Sequence, residues 1–364
     1  MPAARFDDLL RLRRGGEGLT LGSGPSEVVC IDSLEQWQTR AQALRELFRQ
    51  TLGQGPDLGC PLEPVVQAEE DRGDHVRRTI SFHAAPGERL TALLLIPARL
   101  QSPAPGLLCI HPTTELGKLQ VVGDDPSPQG QDRAYALHLV RRGFVTLAYD
   151  LLGAGERCYP GCRPYDTAPF YEAHPHWSVR GRDLWDVGRA VDLLQQVPEV
   201  DATRLGSVGH SQGGGITIHA MALEARLRAG VSSCGDWPAR LSKNPFNHAR
   251  TSWWVGRPFL RPYCVAAKPF PIDLHEYLAL AAPRALMHIV ALNDWQYTLE
   301  EEALTRPAWE DLESQVRAVY ALHGVPERYA QVLHREGHGF AAAQRQAAYA
   351  FLESHLAAGT PRAA

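Results

Sequence analysis

The chain has 364 residues, 44% apolar and 21% charged, which fits a globular protein with a sizeable core and argues against extended disorder. Lysine and arginine total 37 against 41 aspartates and glutamates, a net charge of −4 with no long run of either sign. That balance excludes a nucleic-acid or membrane-surface footprint and points to a small-molecule partner. Seven cysteines, an odd number scattered through a long chain, suit reduced thiols better than a disulfide framework.

The opening stretch "MPAARFDDLLRLRRGGEG" has no apolar core of signal-peptide length, and the most apolar run, "LTALLLIP", is too short to span a bilayer. A cytoplasmic location is therefore expected. In "DSLEQWQTRAQALRELFRQTLG", Ser33 and Gln36 have capping-box spacing, and Leu34, Trp37, Ala41, Leu44 and Leu47 recur at helical intervals. This predicts a helix that packs on the main body or on a second copy of the chain, which would make a homo-oligomer. Residues 1–74 are read as an N-terminal helical extension and 75–358 as the main domain.

Beyond that helix, "HVRRTISFHA" and "RLTALLLIP" read as strands joined by the turn-like "APGE". Further strands are predicted at "GLLCIH", "FVTLAYD", "RLGSVGH", "AGVSSC", "RALMHIVAL" and "RYAQVLHR", with helical patterns at 132–142, 181–196, 213–228, 308–323 and 341–356. Short apolar strands alternating with helices predict an α/β fold, a mostly parallel sheet of about eight strands covered on both faces. Cys158 and Cys162 in "CYPGC" have no second pair nearby and read as loop thiols. His174 and His176 in "EAHPHW" are not surrounded by an acidic ligand constellation and read as loop or channel residues rather than a metal site.

One section breaks the alternation. Residues 235–273 are rich in Trp, Pro and Arg, and a loop of that length inside a compact domain usually serves as a lid or substrate wall. Trp237, Trp253, Trp254, Phe259 and Tyr263 would give it an aromatic lining. Arg250, Arg257 or Arg261 would meet a substrate carboxylate. The alternative is that these aromatics only anchor the excursion to the core.

The chemistry is concentrated in "GHSQG", a G-x-S-x-G elbow placed after a predicted strand and before a predicted helix. Glycines two positions either side of Ser211 allow a sharp turn that projects its hydroxyl. Serine is a weak nucleophile alone, so a base and an orienting acid are required, and in this arrangement they follow in the order serine, acid, histidine. His338 in "REGHGF" follows the last predicted strand. Asp294 in "LNDW" follows the strand before it, with Asp236 in "SSCGDW" in reserve. Two oxyanion donors are expected, the N–H of Gln212 and one from "HPTTELGK". Pro112 has no N–H, which favours Thr113, with Thr114 possible. His111 and Thr114 would border the substrate, or His111 would hold its loop by hydrogen bonds.

With these motifs in place the chain resembles bacterial α/β-hydrolases of the group containing dienelactone hydrolases and acetyl ester hydrolases. The likeness runs from about Val76 to Leu356 through "HPTTELGK", "YDLLGAGER", "HPHWSVRGRDLWDVGRAVDLL", "GHSQGGG", "VSSCGDW", "LND" and "EGHGF". The continuation "SQGGG" is also similar to the cephalosporin C and xylan deacetylases. Two departures stand out: dienelactone hydrolases use a cysteine where this chain has Ser211, and the deacetylases carry Arg-Gly-Gln near the position of "DLLGAGER". The resemblance implies hydrolysis of a small-molecule ester through an acyl-enzyme on Ser211, without a cofactor. Alternatives are a specialised reaction on the same fold, such as lactone opening, carbon–carbon cleavage, peptide hydrolysis or acyl transfer, or a non-catalytic ligand-binding protein.

Overall fold

In the computed structural model, residues 9, 11–14, 27–100, 102–242, 244–249, 253–296 and 302–357 are described. In chain order the principal elements begin with α1 (Leu34–Leu52), β1 (Val65–Asp71), β2 (His75–Ala85), β3 (Glu88–Pro97), β4 (Ala104–Ile110) and β5 (Val145–Tyr149). They continue with α2 (Val179–Leu194), β6 (Val200–His210), α3 (Gln212–Leu223), β7 (Leu227–Ser233) and α4 (Leu274–Ala279). The chain closes with β8 (Ala285–Ala291), α5 (Glu302–Leu322), β9 (Tyr329–His334) and α6 (Ala342–Leu356).

Nine strands form one sheet in the order β9-β8-β7-β6-β4-β5-β3-β2-β1. The run from β9 to β5 is parallel, and β3, β2 and β1 add antiparallel. The central strands read as nearly unbroken apolar runs because both faces are covered. On one face Val187 and Val191 of α2, Ile216 and Ile218 of α3, and Leu312 and Val316 of α5 pack against the sheet. On the other, Leu352 and Leu356 of α6 join Tyr135 and Leu139 of a short helix. This is the expected α/β architecture.

The differences lie at edges and boundaries. The ninth strand, β1, is exposed along its whole length and so carries no apolar alternation. The helix expected at 132–142 is two pieces, Gly130–Arg133 and Tyr135–Val140. The one expected at 213–228 stops at Leu223, and Leu227 already belongs to β7.

The N-terminal segment is more than a helix, since Arg11–Arg14 pairs with Glu27–Cys30 and β1 joins the main sheet. Helix α1 docks on its own chain. Trp37, Leu44 and Phe48 are buried, Phe48 packs against His219 and Tyr277, and Arg40 meets buried Glu276 at 3.4 Å. Leu34, at the head of the same stripe, stays 36% exposed. Among the described residues no helix is long and apolar enough to cross a membrane.

Candidate active site

Strand β6 ends in the elbow. Ser211 has φ 54° and ψ −122°, a conformation that costs a side-chain-bearing residue about 1–3 kcal/mol and survives only where the surroundings over-determine it. Here its N–H donates to the Ser233 carbonyl at 2.8 Å. The flanking glycines are required by contact: a Cβ on Gly209 would sit 2.2 Å from the Gly213 carbonyl carbon, and one on Gly213 would sit 2.0 Å from the Ile110 oxygen.

The loops after β8 and β9 bring the partners to this turn. His338 Nε2 lies 2.8 Å from Ser211 Oγ, and His338 Nδ1 lies 2.6 Å from Asp294 Oδ2. Asp294 is fully buried, and its second oxygen accepts from the Gln296 N–H at 2.9 Å. Asn293 clamps the histidine loop, accepting from the Gly337 N–H at 3.0 Å and donating to the Arg335 carbonyl at 3.1 Å. His210 packs 5.1 Å from the His338 ring, and burial holds its pKa far below the ordinary histidine value. It therefore places no like charge beside His338.

Asp236 is turned elsewhere. It is buried against Arg257 at 3.4 Å, His248 at 3.5 Å and His219 at 3.7 Å. Burial works against its charge, but Arg257 and the histidines more than offset this and hold its pKa well below the carboxylate range.

Helix α3 begins at Gln212, so the Gln212 amide has no intrahelical acceptor and is oriented by the turn. Across from it, Thr113 Oγ1 donates to Gln212 Oε1 at 3.4 Å. Two of the residues expected to border substrate hold this loop instead. His111 is fully buried: its Nδ1 faces the Pro112 carbonyl at 2.7 Å and its Nε2 accepts from the Leu151 N–H at 2.9 Å. Thr114 gives its N–H to the Tyr165 hydroxyl at 2.9 Å, which donates back to the Thr114 carbonyl at 3.0 Å. Below the loop, buried Asp150 accepts from the Lys118 ammonium and the Lys118 N–H, both at 2.7 Å. Gly117 and Gly155 leave room for that carboxylate, which would otherwise meet a Cβ within 3 Å.

A pocket opens beside Ser211 and Gln212, walled by Arg180 and Asp183 of α2 and by the 235–273 section. That section is pinned to the body: Thr167 N–H and Oγ1 both donate to the Trp253 carbonyl, Tyr171 Oη donates to the Val255 carbonyl, and Arg180 N–H to the Gly256 carbonyl. Trp237 and Trp254 line the pocket as expected residues of the wall. Trp253 does not; it is 42% exposed with the Arg163 guanidinium 4.0 Å over its ring. Arg257 faces the pocket, while Arg250 lies outside the described residues.

Among the described residues one His/Cys/Asp/Glu grouping has ligand-like spacing, Cys234, Asp294 and His338, with one ligand atom of each within 4.8 Å of the others. Two of the three are already hydrogen-bonded to each other. Cys158 and Cys162 are free thiols, and His174 packs against Phe170 and Trp177.

Two family profiles match, one described as "Abhydrolase family" over residues 29–166 and one as "Glucuronyl esterase, fungi" over 166–310. "Putative hydrolase YtaP" of Bacillus subtilis (strain 168) is 25% identical over 320 residues, covering 87% of this chain and all of that protein. The glucuronoyl esterase from Solibacter usitatus superposes with a TM-score of 0.70 at 20% identity, over 90% of this chain and 95% of that one. The chain has the α/β-hydrolase fold. "4-O-methyl-glucuronoyl methylesterase 1" of Sodiomyces alcalophilus is 30% identical over 149 residues, 35% of this chain and 30% of that protein.

Residues that the sequence did not mark complete the site. Arg180 and Asp183 reach it from α2, Asn247 from the 235–273 section, and Asn293 and Gln296 from the loop after β8; Trp295, 75% exposed, stands edge-on with its ring centre 6.0 Å from that of His338. For Asn293 a signal was present: it adjoins Asp294 in "LND", where one turn supplies both the acid and the clamp.

Proposed function

We propose that this chain cleaves a carboxylic ester by a serine acyl-enzyme route. It is a carboxylic ester hydrolase, the activity named for the family profile, the relative and the superposed structures it resembles. The roles of individual residues are our reading of the geometry. Ser211 Oγ attacks the ester carbonyl as His338 Nε2 takes its proton, and Asp294 holds the Nδ1–H tautomer and stabilises the imidazolium. The Gln212 and Thr113 amides donate to the tetrahedral oxyanion, each worth about 3 kcal/mol in the transition state. His338 returns the proton to the departing alkoxide, then deprotonates the water that attacks the acyl-enzyme and releases the acid. The observation that carries this reading is the continuous Asp294–His338–Ser211 chain at 2.6 and 2.8 Å, ending on a serine in a strained turn.

The pocket favours a small polar substrate over a long alkyl chain, because Asn247, Gln296, Asp236 and Arg257 line it beside two tryptophans. An ester of a hydroxylated acid, the substrate class named for the glucuronoyl-esterase relatives, suits that lining. A fluorophosphonate probe tests the mechanism. Stoichiometric labelling mapped to Ser211 is expected, and an unlabelled Ser211 in folded protein would count against it.

A further inference from the structure

Arg180 stands out in the pocket beside Ser211. Its Nε and Nη1 are buried, and among the described residues neither has a hydrogen-bond partner. A buried guanidinium is ordinarily saturated with acceptors, because each unpaired N–H forfeits its hydration. Arg180 Nη1 lies 4.0 Å from where a Cβ on Gly215 would stand, so the group sits over the first turn of α3, the positive end of a 12-residue helix. Arg257 lines the same pocket, paired there with Asp236.

The carboxylates present do not use this donor. Asp236 is committed to Arg257 and His248. Asp183, one turn along α2, has no ion pair with Arg180 within 4.0 Å among the described residues, and its Oδ1 has no hydrogen-bond partner. Burial lowers the Arg180 pKa, with Asp183 opposing the shift incompletely, as expected of a cation given too little countercharge. The contrast with Arg182 on the same helix is direct: Arg182 makes three hydrogen bonds of 2.7–2.9 Å to Glu88 and Asp186. Leaving one arginine of a helix bare where the pocket opens places a recognition group, because a carboxylate accepts from two guanidinium N–H groups at once.

We infer that Arg180, aided by the α3 N-terminus, forms an anion subsite beside Ser211, so that the ester cleaved there carries a free carboxylate. The inference rests on the serine-hydrolase reading and specifies its substrate class. The carboxylate lies in either the acyl or the alcohol part, and paired substrates separate the two. Mono-4-nitrophenyl succinate against 4-nitrophenyl butyrate reports the acyl side; 3-acetoxybenzoate against phenyl acetate reports the alcohol side.

The expected result is that one anionic ester exceeds its neutral partner in kcat/KM by at least about tenfold. Arg180→Gln should collapse that ratio mainly through KM, Arg180→Lys should retain part of it, and added salt should shrink it. A ratio near one on both sides, or a ratio unchanged in Arg180→Gln, overturns the inference; so does an Arg180→Gln variant in which both members of a pair fall equally. If no ester turns over, protection replaces turnover: succinate and 3-hydroxybenzoate should slow fluorophosphonate labelling of Ser211 in wild type more than in Arg180→Gln. Equal protection overturns the inference. Labelling of Ser211 without preference for anions sinks only the anion subsite, whereas failure to label Ser211 sinks the serine-hydrolase reading beneath it.

Discussion

The two sides of Ser211 are built on opposite rules. On the side of His338, Asp294 and the 111–118 loop, nearly every polar group has a short partner: Asp294 accepts from His338 and Gln296, Asn293 spans the histidine loop, and Asp150 is surrounded by donors from Lys118 and Glu156. On the side of α2 and the 235–273 section, Arg180 and Asp183 keep buried polar atoms without partners among the described residues. A saturated network fixes atoms in place, which proton transfer requires; an unsaturated one leaves capacity for a ligand. Position is made on one side and recognition is left open on the other.

Substitutions should separate the sides, beginning with the saturated one. Asp294→Asn removes the charge that orients His338 and should lower kcat about 10⁴-fold with little change in KM. Asp236→Asn, which touches the pocket wall, should act mainly on KM and stability. A comparable kcat loss from Asp236→Asn with a near-normal Asp294→Asn would exchange the two roles. Lys118→Met leaves Asp150 buried without its ammonium partner and should cost about 3–5 kcal/mol in denaturant unfolding. A loss under about 1 kcal/mol would show that the 111–118 loop does not depend on this pair.

Asn293→Ala frees the Gly337 N–H and loosens the His338 loop, so a fall in kcat of about 10–100-fold is expected, with the melting temperature little changed. A last effect concerns acid. Burial pushes His288 down to about 4 and His275 down to about 3, so both are neutral in the fold yet protonate near 6.5 once unfolded. Their contribution to stability is therefore complete above about 6.5 and is lost as the pH falls toward 4 and then 3. Each adds a slope of at most about 1.4 kcal/mol per pH unit. Replacing His288 with Phe should flatten the fall of melting temperature between pH 6.5 and 4, and an unchanged slope would assign the acid sensitivity to other groups.

The sequence was most legible on the saturated side. "GHSQG" marks the elbow because only glycine fits at 209 and 213, and chain order then leads to Asp294 and His338, which the fold brings together. The central strands were legible for a related reason, since burial on both faces forces apolar runs. Strand β1, "VVQAEED", is exposed throughout and leaves no such trace. The recognition side was the least legible. Arg180 falls just before the helix predicted at 181–196 and Asp183 within it, and nothing in the sequence marks either; α2 and the 235–273 section together line the pocket at Ser211. The same packing takes Trp253 out of the pocket and keeps Trp254 in it. For His111 the sequence left a substrate-border role beside a loop-holding one, and the Leu151 amide across the turn takes up its Nε2.

The measurement that bears most directly on the central claim is hydrolysis of 4-nitrophenyl acetate by wild type and Ser211→Ala in parallel, at neutral pH, with the fold of both verified. Turnover in wild type that falls to the buffer rate in the variant is the predicted result. Equal turnover by the two proteins would contradict it, and would move the nucleophile away from the elbow.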